Sequence, residues 1–147
     1  MGMEFGWINL FGGVLVLLML IPNIVYALKN REEQNLCTNR LMNLAEQVGR
    51  YGCIVLMWLP LLVWKFGFRG KAEMILYFVG NGVLLAAYWL VYARYMQERT
   101  RRRALTLAVV PACIFFLSGL LLRHWLLAGF AILFAAGHIY VTEQNQR

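Results

Sequence analysis

Apolar residues fall into five long runs along the chain, separated by short polar segments, and that spacing predicts an all-α protein. Residues 5–28 form the first run, interrupted by Asn9, the pair Gly12 and Gly13, and the Pro22-Asn23 step. Pro22 has no N–H and pushes against the carbonyl one turn back, at Leu18, so a kink is expected there, with the Asn23 amide able to satisfy freed backbone groups. Lys29 to Thr38 is the most hydrophilic linker, and Thr38 or Asn39 is the expected cap of the next helix.

That second helix changes character along its length. Over residues 39–50, Asn43, Glu46, Gln47 and Arg50 line one face at helical spacing, while Leu41, Leu44, Val48, Tyr51 and Val55 line the other. Beyond Tyr51 the polar face is gone. The pattern predicts a helix that starts in water at a membrane surface and runs into hydrocarbon over residues 48–66, reaching about Trp64 with a kink at Pro60. A basic turn follows, from Lys65 to Lys71.

Residues 72–95, 105–122 and 126–142 are the remaining runs. Gly80-Asn81-Gly82 lies near the middle of the third, where small residues admit a neighbouring helix and one amide bonds across it. Pro111 and Ser118-Gly119 mark the fourth. Arg123-His124-Trp125 is a very short turn, and Gly129, Ala131, Ala135, Ala136 and Gly137 suit the fifth to close packing.

Composition turns this pattern into a membrane protein. Of 147 residues, 61% are hydrophobic and 14% charged, with a mean hydropathy of +0.61, and each crossing of a bilayer needs about 20 apolar residues. The expectation is a polytopic helical bundle, one integral membrane domain with five transmembrane helices. MGMEFG carries no Lys or Arg and no small-residue cleavage site follows the first run, so that helix is expected to be retained.

The net charge of +7 reads as loop charge rather than as a nucleic-acid surface, since the basic residues are separated by spanning helices. Ten Lys and Arg fall on one side of a five-span topology and four on the other, which places the N-terminus outside and the C-terminus in the cytoplasm. Arg99, Arg101, Arg102 and Arg103 suit anionic lipid head groups. Three cysteines without a C-x-x-C pair specify neither a redox motif nor a thiolate metal site. No H-E-x-x-H, G-x-S-x-G or phosphate-cradling glycine loop occurs. His124 and His138 lie on one helix with no histidine on a second, so haem held by two histidines fails, and no cofactor is expected.

With that topology, depth at about 1.5 Å per residue brings polar groups together. Asn23 and Tyr26 end the first helix on the cytoplasmic side, Glu46, Gln47 and Arg50 begin the second, Tyr88, Tyr92 and Arg94 end the third, and His138 and Tyr140 end the fifth. Ionisable groups at that depth face a bundle interior or water. Asn23, Tyr26, Glu46, Arg50, Arg94 and His138 are therefore the candidate ligand-binding residues. The competing readings are an i, i+4 pair of Glu46 with Arg50, snorkelling arginines, and an interfacial histidine.

Two resemblances bear on this. Ile21-Pro22-Asn23 with Tyr26, and Glu46-Gln47 followed by Gly49-Arg50-Tyr51-Gly52-Cys53, resemble stretches of small polytopic bacterial membrane proteins, a group that brings no assigned activity but implies a bacterial cytoplasmic membrane. Arg40, Asn43 and Glu46 resemble the R-x-x-x-N-x-x-E motif of the MAPEG family, whose small helical bundles use that helix to hold glutathione. Here Arg40 stands one residue closer to Asn43, and five spans replace the family's four. The expected function is a binder or carrier of a small polar or anionic ligand, not an enzyme, acting as a homo-oligomer or with a larger membrane partner. The alternatives are an accessory subunit of a membrane complex and an enzyme acting on a lipid or a glutathione-like thiol.

Overall fold

The computed structural model describes residues 3–4, 9–31, 35–59, 67–68 and 70–146. Five helices dominate: α1 (Leu10–Lys29), α2 (Arg40–Trp58), α3 (Lys71–Gln97), α4 (Arg101–Leu121) and α5 (Trp125–Asn145). Besides these, β1 (Met3–Glu4) pairs antiparallel with β2 (Gly67–Phe68), Met3 opposite Phe68. The helices α1, α3, α4 and α5 are long and apolar enough to cross a membrane.

Local chemistry sets the helix ends. Asn39 caps α2, its side chain accepting from the Met42 N–H, and Thr100 caps α4 by accepting from Arg103. Asn9, expected as a break inside the first helix, instead begins it: its side chain accepts from the Gly12 N–H. The expected start at residue 5 lies outside the described residues. The expected continuation of the second helix past Pro60 to about Trp64 lies outside the described residues. Helix α2 stops at Trp58, and Leu59 is extended at φ −111° and ψ 112°, the conformation forced on a residue that precedes proline. Pro60 and Lys65 lie outside the described residues.

Side-chain pairs give the arrangement. The Asn9 N–H donates to the Trp58 carbonyl at 2.8 Å, so α1 begins where α2 ends. Asn9 with Tyr77 and Asn23 with Tyr88 run α1 alongside α3 in the same direction. Asn81 donates to Ser118 Oγ at 3.1 Å across α3 and α4, the bridging role expected for that amide. Glu46 with His138 sets α2 against α5. The five helices therefore alternate in direction, and Lys29, Arg40, Gln97, Arg101 and Asn145 share one end of the bundle. The most extensive packing is between α2 and α5, with α1 at the edge.

Glycines make that central contact possible. A Cβ on Gly49 would lie 2.5 Å from the Phe134 backbone, and one on Gly52 would strike the Phe130 ring. Gly137 abuts the backbone of Glu46. Close backbone approach through small residues is how helices associate where no water drives them together. Of the small residues expected to pack on α5, Gly129 faces open space and Ala136 is exposed, so only part of that stripe is used.

The faces of α2 are reversed relative to a soluble helix. Leu41 is 72% exposed and Tyr51 62%, with Leu44, Val48 and Val55 also exposed, while Glu46 is only 5% exposed. Large apolar side chains likewise cover the outside of the other helices, among them Leu10, Leu17, Leu28, Val83 and Ile132. Contiguous outward apolar surface on this scale is not what a water-facing monomer carries.

Pro22 lies inside α1 and leaves the Leu18 carbonyl without its helical donor. The indole N–H of Trp89 on α3 takes that carbonyl at 2.9 Å. Asn23, the expected donor, instead bonds its own preceding turn at the Met19 carbonyl, 2.8 Å, and the Tyr88 hydroxyl.

The turn from α4 to α5 is equally specific. Arg123 has φ 54°, the left-handed region. The Arg123 N–H donates to the Leu120 carbonyl at 3.2 Å and the His124 N–H to Gly119 at 2.8 Å. This is the paired closure that commonly ends a helix with glycine at the left-handed residue. The arginine is there for its side chain, which pairs with Glu73 in the first turn of α3 at 2.9 Å.

Candidate functional site

Four helices converge at the end of the bundle that holds Lys29 and Arg40. From α2, the buried Glu46 Oε1 takes both Arg50 Nη2, at 2.6 Å, and Nδ1 of His138 on α5, at 2.7 Å. The i, i+4 pair that competes with a functional reading of Glu46 thus exists, but it shares its carboxylate oxygen with a histidine from another helix. Ionised groups inside a bundle pair with one another in this way. The His138 ring also stacks on Phe134, one turn earlier, with centroids 4.8 Å apart and planes 15° from parallel. Ring and carboxylate together leave His138 little rotational freedom.

A carboxylate can only accept, and the Arg50 guanidinium supplies its counter-charge. In the neutral form of the imidazole the proton sits on Nδ1, towards Glu46, which leaves Nε2 as a lone-pair acceptor. On the facing wall, Asn23 Nδ2 donates to the Tyr88 hydroxyl at 2.7 Å, so the Tyr88 proton is not used in that bond. Tyr92 reaches Asn23 Oδ1 at 3.5 Å.

These groups stand between two chambers. The outer one, about 390 Å³, is lined by Tyr26, Asn30, Asn35, Tyr95, Thr142 and Asn145 among others. The inner one, about 290 Å³, is walled by Val16, Met19, Ile54, Phe115 and Phe134, with Arg50 on its margin. Asn23, Tyr88 and His138 line both and form the waist between them.

The rim is ordered by aromatic and charged contacts. Tyr26 and Tyr92 meet edge to face with centroids 5.9 Å apart, Tyr88 and Tyr92 likewise at 5.5 Å. The Arg99 guanidinium lies over Tyr26 at 5.2 Å and Tyr95 at 6.0 Å and bonds Asn30 Oδ1. The other loop arginines also have protein partners: Arg101 holds Glu143 with two bonds, and Arg103 reaches the Glu98 carboxylate and the Arg94 and Glu98 carbonyls. Arg102 is exposed.

Of the six candidate residues, Asn23, Tyr26, Arg50 and His138 line the chambers, and Glu46 stands behind His138. Arg94 does not join them: it is exposed on α3 and contributes only its carbonyl, to Arg103. Tyr140 is also exposed on α5. Arg40 is the exposed first residue of α2, and Asn43 turns to the Cys37 carbonyl at 3.0 Å and to Asn35, away from Glu46. Tyr88 and Tyr92, expected at that depth but not among the six, belong to the site, as does Tyr95, which the sequence reading passes over. Their i, i+4, i+7 spacing on an otherwise apolar helix is the signal that could have found them. Among the described residues, no three His, Cys, Asp or Glu side chains form a metal-holding group.

Comparison with protein-family models, with curated proteins and with solved structures gives no match to this chain. What the site can do rests on its own chemistry. It has a histidine and a tyrosine from different helices lining both chambers, and a buried carboxylate with its counter-charge.

Proposed function

We propose that this is a multi-pass protein of the cell membrane in which all five helices cross, with the N-terminus outside, and that its cytoplasm-facing cavity binds or carries a small polar ligand. Support for α2 as the fifth crossing comes from its reversed faces, since Leu41, Leu44 and Tyr51 point outward and Glu46 inward. Support for the orientation comes from the ten Lys and Arg assigned to the cytoplasmic side against four on the other. The observation that carries the functional reading is the waist, where Asn23, Tyr88 and His138 from three helices line both chambers. Pockets are built this way, largely apolar with a few convergent polar groups.

Cysteine accessibility tests the cavity. With Cys37, Cys53 and Cys113 replaced by alanine, Thr142→Cys on the outer wall is expected to react with a membrane-impermeant maleimide in inside-out vesicles and not in right-side-out ones. Refusal of the label from both faces sinks the pocket, and labelling from the outer face alone reverses the topology. Carriage is tested by solute flux into proteoliposomes, with Glu46→Gln as control. Equal flux with and without protein across small anions and polyols leaves binding alone.

A further inference from the structure

The two chambers differ in chemistry, and the ion pair beside the waist is closed on itself. Arg50, the cation on the inner margin, already has Glu46 as its counter-ion at 2.6 Å. Asn23, Tyr88 and the neutral form of His138 carry no charge. An ion placed at the waist would lose its hydration without meeting an opposite charge, which is costly in a low-dielectric site. A neutral head group would not. His138 Nε2 offers a lone pair from α5, and the Tyr88 hydroxyl, which accepts from Asn23, keeps a proton to give from α3. A hydroxyl group has both capacities, accepting from a tyrosine and donating to an imidazole nitrogen.

Beyond the waist the wall turns apolar, with Val16, Met19, Ile54, Phe115 and Phe134. A purely polar ligand would leave those groups facing water, whereas an apolar body would remove them from it. At about 290 Å³, the inner chamber sits at the small end of the roughly 300–1,000 Å³ of ligand pockets. We infer, on the cavity reading above, that the ligand is a compact, uncharged amphiphile of the phenol or short-alcohol class, its hydroxyl bridging Tyr88 and His138 and its apolar body in the inner chamber.

The test uses the full chain in lipid nanodiscs, with the three native cysteines replaced and Leu20→Cys placed on the inner wall. Its modification by a small thiosulfonate reports occupancy. Three probes separate the parts of the inference: p-cresol has ring and hydroxyl, toluene the ring alone, glycerol hydroxyls without an apolar body. p-Cresol is expected to protect at a concentration at least tenfold below toluene, and glycerol not at all. Tyr88→Phe is expected to erase the preference for p-cresol while leaving toluene protection unchanged, a control for folding, and His138→Phe to do the same from the opposite wall.

Equal protection by p-cresol and toluene overturns the inference, as does a preference that survives both substitutions. Failure of Leu20→Cys to react at all means that no inner chamber is accessible and overturns it too. If Thr142→Cys is labelled while p-cresol gives no protection, the cavity stands and the amphiphile falls. If Thr142→Cys refuses the label, both fall together.

Discussion

Gly137 is packed so tightly against α2 that a Cβ on it would lie 2.4 Å from the Glu46 backbone nitrogen and 2.8 Å from its Cα. The missing side chain sets the separation of α2 and α5, and with it the 2.7 Å bond from Glu46 to the neighbouring His138. Gly137→Ala is expected to lower stability by about 1–3 kcal/mol, the usual range for overpacking, measured by unfolding in mixed detergent micelles. Gly129→Ala, where nothing stands within 4 Å, is the control and should be neutral or gain up to about 1 kcal/mol from helix propensity. Equal losses at both positions would mean that the close approach is not what holds the pair.

The carbonyl released by Pro22 makes a second case. Trp89→Phe keeps an aromatic ring but removes the donor to the Leu18 carbonyl, and a loss of about 1 kcal/mol is expected. In a Pro22→Ala background residue 22 supplies its own N–H to Leu18, so the same substitution should cost measurably less. A double-mutant cycle on unfolding free energies reads the difference. Additive effects would show that the indole bond has nothing to do with the proline.

At the α4–α5 turn, glycine and alanine separate backbone from side chain. Both Arg123→Gly and Arg123→Ala lose the pair with Glu73, but only alanine keeps a Cβ at φ 54°. The alanine variant is expected to be the less stable by about 1 kcal/mol, as a lower midpoint of thermal unfolding. Identical midpoints would remove the left-handed geometry as a determinant.

Ion pairs in different surroundings should behave differently. Arg101 is well exposed where it meets Glu143, so Arg101→Gln is expected to change stability by less than about 1 kcal/mol, and by less still at high salt. Glu46→Gln removes the carboxylate shared by Arg50 and His138 inside the bundle, and a loss of about 1–3 kcal/mol, little affected by salt, is expected. Chemical denaturation at two ionic strengths compares them. A salt-sensitive loss at Glu46 would place it in contact with bulk water.

Much of this architecture can be read from residue order because helix boundaries obey local rules. Asn39 and Thr100 cap where a short polar side chain precedes an apolar run, and the spans on α3, α4 and α5 fall within a few residues of the hydropathy pattern. Leu59 is extended because a following proline disfavours the helical region for the residue before it, a local rule that competes with the apolar pattern. The freed carbonyl at Leu18 was foreseeable from Pro22 alone. Its donor was not, since Trp89 lies 71 residues away and only packing brings it there. The same holds for the site: helix depth brings Asn23, Glu46 and His138 to one level but says nothing about rotation about a helix axis, and Arg94 faces outward while Tyr88, six residues earlier, faces in.

The reversed faces of α2 bear on the order in which the bundle assembles. Glu46 has Arg50 beside it on α2 from the start, but its partner from another helix is His138, 92 residues later in the chain. During synthesis Glu46 has no partner from α5 until the last helix emerges. Truncation before residue 138 is therefore expected to leave the Glu46 carboxylate on Arg50 alone and α2 without the helix it packs against most extensively.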